Sequence, residues 1–223
     1  MNNEENFFEG KDFSGGVFKA LTPSYYPKQY QDYIKQEEEL IVSNIKSSDV
    51  ILEAGVGTGR IIPKIATLAK KIIGIDNADL MIKYSTEIAK KYPNVKIVKC
   101  EIENIGNFFG KNYFDKTFCI WNTLGNVESE VGVLKNLSKV TRDRIFITVY
   151  KKGTLEERKH WYQTVGIKLK KIDEENEIFY SESGLKSKSY SEQDLSDIAD
   201  QAGLKVVGML TLNNVMIWAV FKN

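Results

Sequence analysis

Cysteine and histidine are scarce in this chain of 223 residues, which contains two cysteines and one histidine. This set provides no metal-ligand spacing, so we expect no metal site. Cys100 and Cys119 lie within apolar runs, and the simplest interpretation is that they are buried, reduced thiols of a cytoplasmic protein. Basic and acidic residues nearly cancel, 31 against 30, so the formal net charge of +1 indicates no polyanionic partner.

Long apolar runs are missing as well. No window approaches 18 uninterrupted apolar residues and residues 1–10 contain no apolar signal core, so we expect neither a membrane span nor a secretion signal. The hydrophobic content of 42% and the charged content of 27% are typical of a globular protein. A single domain over residues 1–223 is the simplest expectation, and the sequence leaves the oligomeric state open.

Short apolar runs alternate with amphipathic segments along most of the chain. The predicted strands are 50–54, 71–76, 95–100, 114–121 and 144–150, and the predicted helices are 28–44, 59–70, 79–92, 128–140, 154–164 and 191–202. Strands separated by helical crossovers favour a parallel sheet with helices on both faces. Two hairpins are also predicted, one within 167–181 and one around Asn213-Asn214.

Three glycines, Gly55, Gly57 and Gly59, follow the first predicted strand at alternate positions. Glycine has no Cβ, so the backbone can turn tightly and lie against a bound molecule. A dinucleotide fingerprint starting at Gly55 requires glycine where Arg60 stands, and a phosphate-binding Walker loop requires Lys at that position. What remains is an acid, Glu53, followed by Gly-x-Gly-x-Gly.

This segment resembles motif I of the class I S-adenosylmethionine-dependent methyltransferases. The resemblance covers roughly residues 40–150 and 190–223. It implies an α/β, Rossmann-like, doubly wound sheet of seven strands in the order 3-2-1-4-5-7-6, with strand 7 antiparallel. The chain would then divide into an N-terminal lid and helix (1–40), a cofactor-binding core (41–150), a substrate-side insertion (151–190) and a C-terminal helix and hairpin (191–223). The implied cofactor is S-adenosyl-L-methionine, and the product is S-adenosyl-L-homocysteine.

The resemblance also implies cofactor contacts. Asp76, after the second strand, would accept hydrogen bonds from the ribose diol, as a carboxylate at that place is able to do. Glu101 matches the acid that receives the adenine amino group, although Glu103 competes for this role, and Ile102 would pack on the adenine. Glu53 would help to hold the methionine amino group. The predicted cofactor-binding residues are Glu53, Gly55, Gly57, Gly59, Asp76, Asn77, Glu101, Ile102 and Trp121.

The acceptor side is less sharply predicted. Trp121 and Asn122 follow the fourth strand, where ligands bind in doubly wound sheets. The segment WNTLGNV is similar to an Asn-containing segment of glycine-type N-methyltransferases, with Asn126 near the place where many relatives carry His, so the general base stays open. The catalytic candidates are Asn122, Trp121 and His160, and the substrate-binding candidates are Tyr26, Tyr30, Asn122, Arg158 and Tyr162.

Most acceptor-side candidates have a structural alternative. Tyr30 and Trp121 would also fit a core, and Asn122 would fit a turn. Arg158 would clamp a substrate carboxylate bidentately or be a solvated helical arginine. His160 would act as a base for an oxygen or ammonium nucleophile or lie on the surface of its helix.

Methyl transfer from a sulfonium requires alignment and exclusion of water, and proton removal matters only if the nucleophile starts protonated. The sequence therefore predicts in-line methyl transfer to a nitrogen or oxygen of a small molecule, and nitrogen is favoured because the loop is Asn-rich and lacks an obvious base. The alternatives are a protein or RNA methyltransferase and a catalytically silent cofactor-binding partner subunit; a dinucleotide oxidoreductase is opposed by Arg60. Aromatic and basic residues do not interleave as in single-strand binders, which disfavours a nucleic-acid acceptor.

Overall fold

The computed structural model describes residues 7–9, 19 and 21–223. Within them, ten strands form one sheet: β1 Val50–Ala54, β2 Lys71–Asp76, β3 Val95–Lys99, β4 Phe114–Cys119, β5 Thr141–Lys151, β6 Leu169–Asp173, β7 Ile178–Ser181, β8 Lys186–Tyr190, β9 Lys205–Leu212 and β10 Met216–Lys222. The α-helices of this part are α1 Lys28–Ser43, α2 Ile62–Ile65, α3 Asp79–Ala89, α4 Glu130–Val140, α5 Leu155–Val165 and α6 Glu192–Gln201.

The first five strands pair in parallel in the order β3-β2-β1-β4-β5. β10 then pairs antiparallel with β5 and with β9. With β9 and β10 as the sixth and seventh strands of the core, the predicted order 3-2-1-4-5-7-6 is confirmed. Successive strand residues point to opposite faces, so Ile51 and Leu52 belong to two separate buried clusters, one on each face of the sheet.

The insertion after β5 contains one strand more than predicted. The predicted hairpin is present as β6 and β7, and β8 adds to it in antiparallel fashion. β8 also runs parallel to the end of β5, where Tyr150 pairs with Ser189. β4 pairs with β5 only as far as Cys119 opposite Ile147, so the edge of β5 beyond this point is open to β8. The sequence of β8, KSKSY, is too polar to reveal a half-buried strand.

One predicted helix is wrong in its extent. Within residues 59–70 the only α-helix of the structure is the short α2. The side-chain amide of Asn94 donates to the carbonyl oxygens of Ala66 at 2.8 Å and Ala69 at 2.9 Å. These carbonyls are satisfied from the neighbouring loop, so the helical pattern of apolar residues does not need a continuous helix to bury its side chains.

The N-terminal residues contribute to the same body as the sheet. Phe7 and Tyr26 are buried, and the 3₁₀ turn Phe7–Glu9 contacts α3. The predicted lid also includes Phe13 and Phe18, which lie outside the described residues. Over the described ranges, no helix is long and apolar enough to cross a membrane.

Candidate active site

A cavity of about 560 Å³ lies at the carboxyl ends of β1 to β4, a size that accommodates a small-molecule ligand. We divide its wall into two parts. The glycine half comes from the ends of β1, β2 and β3 and includes Glu53, Gly55, Gly57, Arg60, Asp76, Asn77, Glu101, Ile102 and Glu103. The aromatic half comes from the segments around Tyr26 and Trp121, the end of β5, α5 and β8, and includes Tyr26, Trp121, Asn122, Tyr150, Trp161, Tyr162 and Ser187.

The glycines of the first turn are accommodated for different local reasons. The N–H groups of Gly55 and Val56 donate to the carbonyl oxygen of Ile75 at 2.9 and 2.8 Å, which fixes the turn to the end of β2. Gly55 has φ 75°, and a Cβ there would lie 2.6 Å from Cγ2 of Thr123. Gly57 has φ 53°, and a Cβ there would meet nothing within 4 Å. Gly55 thus serves close packing, whereas Gly57 borders the open cavity.

Gly59 is the exception among the predicted cofactor-binding residues. It has φ 81°, and a Cβ there would lie 3.0 Å from Cδ1 of Ile62. Gly59 does not line the cavity, so its place in the fold is one of turn geometry and packing.

Asp76 is held by the backbone of the two neighbouring turns. Its Oδ2 accepts from the N–H of Gly57 at 2.9 Å and its Oδ1 accepts from the N–H of Ala78 at 3.1 Å. At the end of β3, Ile102 is buried and the exposed Glu101 accepts from Nδ2 of Asn104 at 2.8 Å. Glu103 lines the cavity as Glu101 does, so the choice between these two acids stays open.

Glu53 is buried at the base of the glycine half, with 2% of its surface exposed. Its Oε2 has no hydrogen-bond partner among the described residues. Burial raises the pKa of Glu53 to about 8, with Glu37 and Asp76 adding to the rise and Arg60 opposing it. A buried carboxyl with an unpaired oxygen costs stability unless a donor or a cation reaches it, so this side chain suits a positively charged ligand group.

A buried network that the sequence analysis missed joins the two halves. Arg60 forms an ion pair with Glu37 of α1, whose other oxygen accepts from Tyr33 and from Oγ1 of Thr148 at 2.5 Å. Oγ1 of Thr148 in turn accepts from the N–H of Trp121 at 2.7 Å. The available signal was the position of Glu37, a carboxylate on the apolar face of an amphipathic helix.

The turn after β4 is strained. Trp121 and Asn122 have φ values of 53° and 61°, a left-handed conformation that non-glycine residues adopt at a cost. Besides the bond from Trp121, the N–H of Asn122 donates to the carbonyl oxygen of Thr148 at 2.9 Å. Oδ1 of Asn122 accepts from the N–H of Tyr150 at 3.1 Å. These bonds to β5 hold the turn so that both side chains line the cavity.

Aromatic rings cover this turn. Trp121 stacks on Tyr26 with ring centroids 5.0 Å apart and on Tyr33 at 5.4 Å. Trp161 meets Tyr26 edge-on at 4.6 Å. Tyr30 lies behind this layer, stacked on Trp161 at 5.2 Å; it is fully buried and does not line the cavity. Of the two predicted tyrosines of the N-terminal region, only Tyr26 reaches the cavity.

Helix α5 carries three of the predicted acceptor-side residues: Arg158 and Tyr162 lie one turn apart on its buried face, and His160 lies on its exposed face. Tyr162 lines the cavity. Arg158 is completely buried but does not line the cavity; it donates to the carbonyl oxygens of Glu177 at 3.0 Å and Ser187 at 2.7 Å. His160 is exposed and also lies outside the cavity wall. The solvated arginine considered as an alternative is wrong, and neither Arg158 nor His160 is brought to the cavity.

Comparison with known proteins identifies the family. A family model described as "Methyltransferase domain" matches residues 45–203, and the chain therefore belongs to this family of methyltransferases. Among solved structures, magnesium protoporphyrin IX methyltransferase from Synechocystis PCC 6803 with bound SAH has a TM-score of 0.69 and 15% identity, with 98% of this chain and 97% of that chain covered. The PH0226 protein from Pyrococcus horikoshii OT3 has a TM-score of 0.69 and 17% identity, covering 92% and 98%.

Two curated relatives are named as RNA methyltransferases. The tRNA (guanine-N(7)-)-methyltransferase of Clostridium botulinum is 26% identical over 148 residues, 62% of this chain and 64% of the relative. The probable ribosomal RNA small subunit methyltransferase A of Methanococcus maripaludis is 30% identical over 69 residues, 29% of this chain and 26% of the relative. This chain thus spans less than two thirds of either relative.

These findings confirm the predicted class I methyltransferase family and its fold. The predicted enzyme class and its cofactor, S-adenosyl-L-methionine, agree with this membership. The expectation that a nucleic-acid acceptor is disfavoured is not supported, because both curated relatives are named for RNA substrates.

Proposed function

We propose that this protein transfers the methyl group of S-adenosyl-L-methionine to a nitrogen or oxygen of a small molecule. The observation that carries the proposal is that one cavity has two unlike halves. Its glycine half is rich in carboxylates, and its aromatic half is closed over by Tyr26, Trp121 and Trp161. Phe7 and Phe8 also line the cavity, which supports an enclosed pocket rather than a broad entrance for a macromolecule.

The glycine half would hold the cofactor through its acids. Each carboxylate oxygen of Asp76 accepts a backbone N–H, and because a carboxylate oxygen is able to accept more than one hydrogen bond, Asp76 would also accept from a ribose hydroxyl. Glu53 would ionise when the methionine ammonium group approaches its unpaired Oε2, because a nearby positive charge favours the charged carboxylate. Ile102 would pack on the adenine, and Glu101 or Glu103 would accept its amino group.

The aromatic half would align the acceptor and exclude water. In-line displacement leaves a neutral thioether, so no acid needs to protonate the leaving group. The wall of the cavity in the described part of the chain contains no histidine, and a nucleophile that is already unprotonated needs no base. Trp121 and Asn122, in their strained turn, would fix the acceptor beside the methyl group.

RNA methylation is the second candidate, and the two curated relatives favour it. A third candidate is a member that binds the cofactor without turning over. Neither requires a different glycine half, because the cofactor would be the same. The three candidates differ in the acceptor that would meet the aromatic half, so substrate assays distinguish them.

The test has two steps. Calorimetry with S-adenosyl-L-homocysteine is expected to give micromolar binding, and a flat titration of folded protein would contradict the proposal. The purified protein is then offered amines, amino acids and phenols, with total tRNA as the alternative acceptor, and release of S-adenosyl-L-homocysteine is measured. Turnover with tRNA alone would favour the RNA candidate, and binding without turnover on any acceptor would favour the silent one.

A further inference from the structure

Arg158 is a buried cation without a counter-ion. Its side chain is completely buried, and no carboxylate lies within ion-pair distance of it over residues 21–223. The guanidinium lies over the rings of Tyr150 at 4.7 Å and Phe179 at 4.3 Å, and its Nε has no hydrogen-bond partner among the described residues. Because no carboxylate neutralises this cation, it leaves a positive potential directly behind the aromatic half. Burying an unpaired charge in this way is costly.

Hydrogen bonds connect Arg158 to the cavity wall through Ser187. Oγ of Ser187 lies 3.2 Å from Nη2 of Arg158 and 3.1 Å from Nδ2 of Asn122. The orientation of the Asn122 amide is fixed, because its Oδ1 accepts from the N–H of Tyr150. Both of these neighbours therefore donate to the serine oxygen.

The third neighbour of this oxygen is a donor as well. Oη of Tyr162 donates to Oγ of Ser187 at 2.7 Å. The hydroxyl proton of Ser187 itself has no acceptor among the described residues. The hydroxyl of Tyr150 is similar: it accepts from Nε1 of Trp161 at 3.1 Å, and no described acceptor takes its own proton.

We propose that this corner of the cavity, formed by Tyr150, Tyr162 and Ser187 in front of Arg158, binds an anionic oxygen of the methyl acceptor, such as a carboxylate or a phenolate. Its side chains offer donors and a positive charge, whereas the carboxylates of the cavity are mainly in the glycine half. The O–H groups of Tyr150 and Ser187 would donate directly to the anion. Arg158 would act behind them as a specificity-determining charge, without touching the acceptor. This inference deepens the proposed function and rests on it.

Anion binding can be measured independently of turnover. The protein is saturated with S-adenosyl-L-homocysteine and titrated with acetate, benzoate and indole-3-acetate, each against its neutral amide. At least one carboxylate is expected to bind about tenfold or more tightly than its amide, as expected for the loss of a hydrogen bond to a charged group. Equal binding of acid and amide, or no binding of any carboxylate in the presence of bound S-adenosyl-L-homocysteine, would overturn the proposal.

Three variants locate the effect. Tyr150→Phe removes one of the two donating hydroxyls and is expected to lose most of the preference for the carboxylate while the affinity for S-adenosyl-L-homocysteine is unchanged. Tyr180→Phe, on β7 and outside the cavity wall, is the matched control and is expected to keep both. Arg158→Met tests the charge itself if it folds. A carboxylate preference that survives in Tyr150→Phe would place the anion elsewhere and overturn the proposal.

The outcome is separable from that of the proposed function. Failure to bind S-adenosyl-L-homocysteine would refute the methyltransferase assignment. Retained binding of S-adenosyl-L-homocysteine without selectivity for the anion would refute only the corner defined here.

Discussion

The two halves of the cavity differ in how they are built and in the charge they present. The glycine half presents Glu53, Asp76 and Glu101 from the ends of three adjacent parallel strands. The aromatic half gathers side chains from the segments around Tyr26 and Trp121, from β5, and from α5 and β8 of the insertion, and its unpaired polar groups are donors. A cationic cofactor and an oxygen-bearing acceptor would therefore meet complementary surfaces at opposite ends of one cavity. The comparison teaches that local sequence patterns predict the part of the site that is built on neighbouring strand ends. They do not predict the part that would select the acceptor.

The halves are nevertheless mechanically joined. Glu37 binds Arg60 of the glycine turn and, through Thr148, the N–H of Trp121. Gly55 makes the other junction, because it packs against Thr123 after β4. Substitutions at these junctions are expected to disturb both halves, and substitutions at a strand end only one.

The largest effect is expected for Gly55→Ala. A Cβ at this position would lie 2.6 Å from Thr123, and the backbone φ there is 75°. We therefore expect a loss of about 2–5 kcal/mol in the free energy of unfolding, from backbone strain and overpacking together. Gly57→Ala is the matched control, since it has a positive φ but open space, and about 1–2 kcal/mol is expected there. Chemical denaturation measures both; equal losses would show that the junction with Thr123 is unimportant.

Glu53→Gln separates stability from binding within the glycine half. The raised pKa of about 8 means that the folded protein holds a proton that the unfolded chain has lost. Its stability therefore falls as pH rises from the ordinary pKa of the carboxyl to about 8 and is constant above that, with a slope of up to about 1.4 kcal/mol per pH unit. The variant is expected to be more stable than the natural protein, by more at pH 8 than at pH 5, and to bind S-adenosyl-L-homocysteine more weakly. Thermal unfolding at the two pH values measures the difference. A gain in stability that does not depend on pH would show that Glu53 is not protonated in the folded protein.

Asp76→Ala is expected to weaken S-adenosyl-L-homocysteine binding by about 1–3 kcal/mol, through the loss of charged hydrogen bonds. Because Asp76 belongs to the glycine half alone, the selectivity among acceptors should not change. Calorimetry measures the first effect and competition between two acceptors the second. An unchanged affinity would remove Asp76 from the ligand site, and changed selectivity would mean that the halves are not independent.

The smallest effect is expected for His160→Ala. The residue is exposed and outside the cavity wall, so kcat/KM is expected to stay within about twofold of the natural protein and stability within about 0.5 kcal/mol. A large loss of kcat with an altered pH profile would restore His160 as the base and require α5 to move.

Much of the glycine half follows from residues near one another in sequence. A buried strand, a glycine turn and acids after the next strands are enough to predict the fold and the edge of the sheet at which a ligand binds. The prediction is weaker for features that depend on the packing of side chains. Gly59 belongs to the same motif as Gly55 and Gly57 yet faces the packed interior, because the direction in which an added Cβ would point depends on the turn that follows.

The aromatic half was predicted only in part. Tyr26, Trp121, Asn122 and Tyr162 line the cavity, but composition and spacing give no means of separating them from Tyr30, which packs behind. β8 was missed because its polar sequence pairs with an edge of β5 that becomes available only after β4 ends.

The sequence by itself determined the core strands, the glycine turn and the acids that follow the strands, because apolar periodicity and glycine spacing are properties of adjacent residues; the family and the order of the core strands followed from the resemblance of these motifs to class I methyltransferases. Only the tertiary structure decided that Glu37 would join Arg60 to Thr148, and that Arg158 would be buried without a counter-ion behind Ser187. Burial and hydrogen-bond partners depend on which distant segments come together, and no local pattern encodes those encounters.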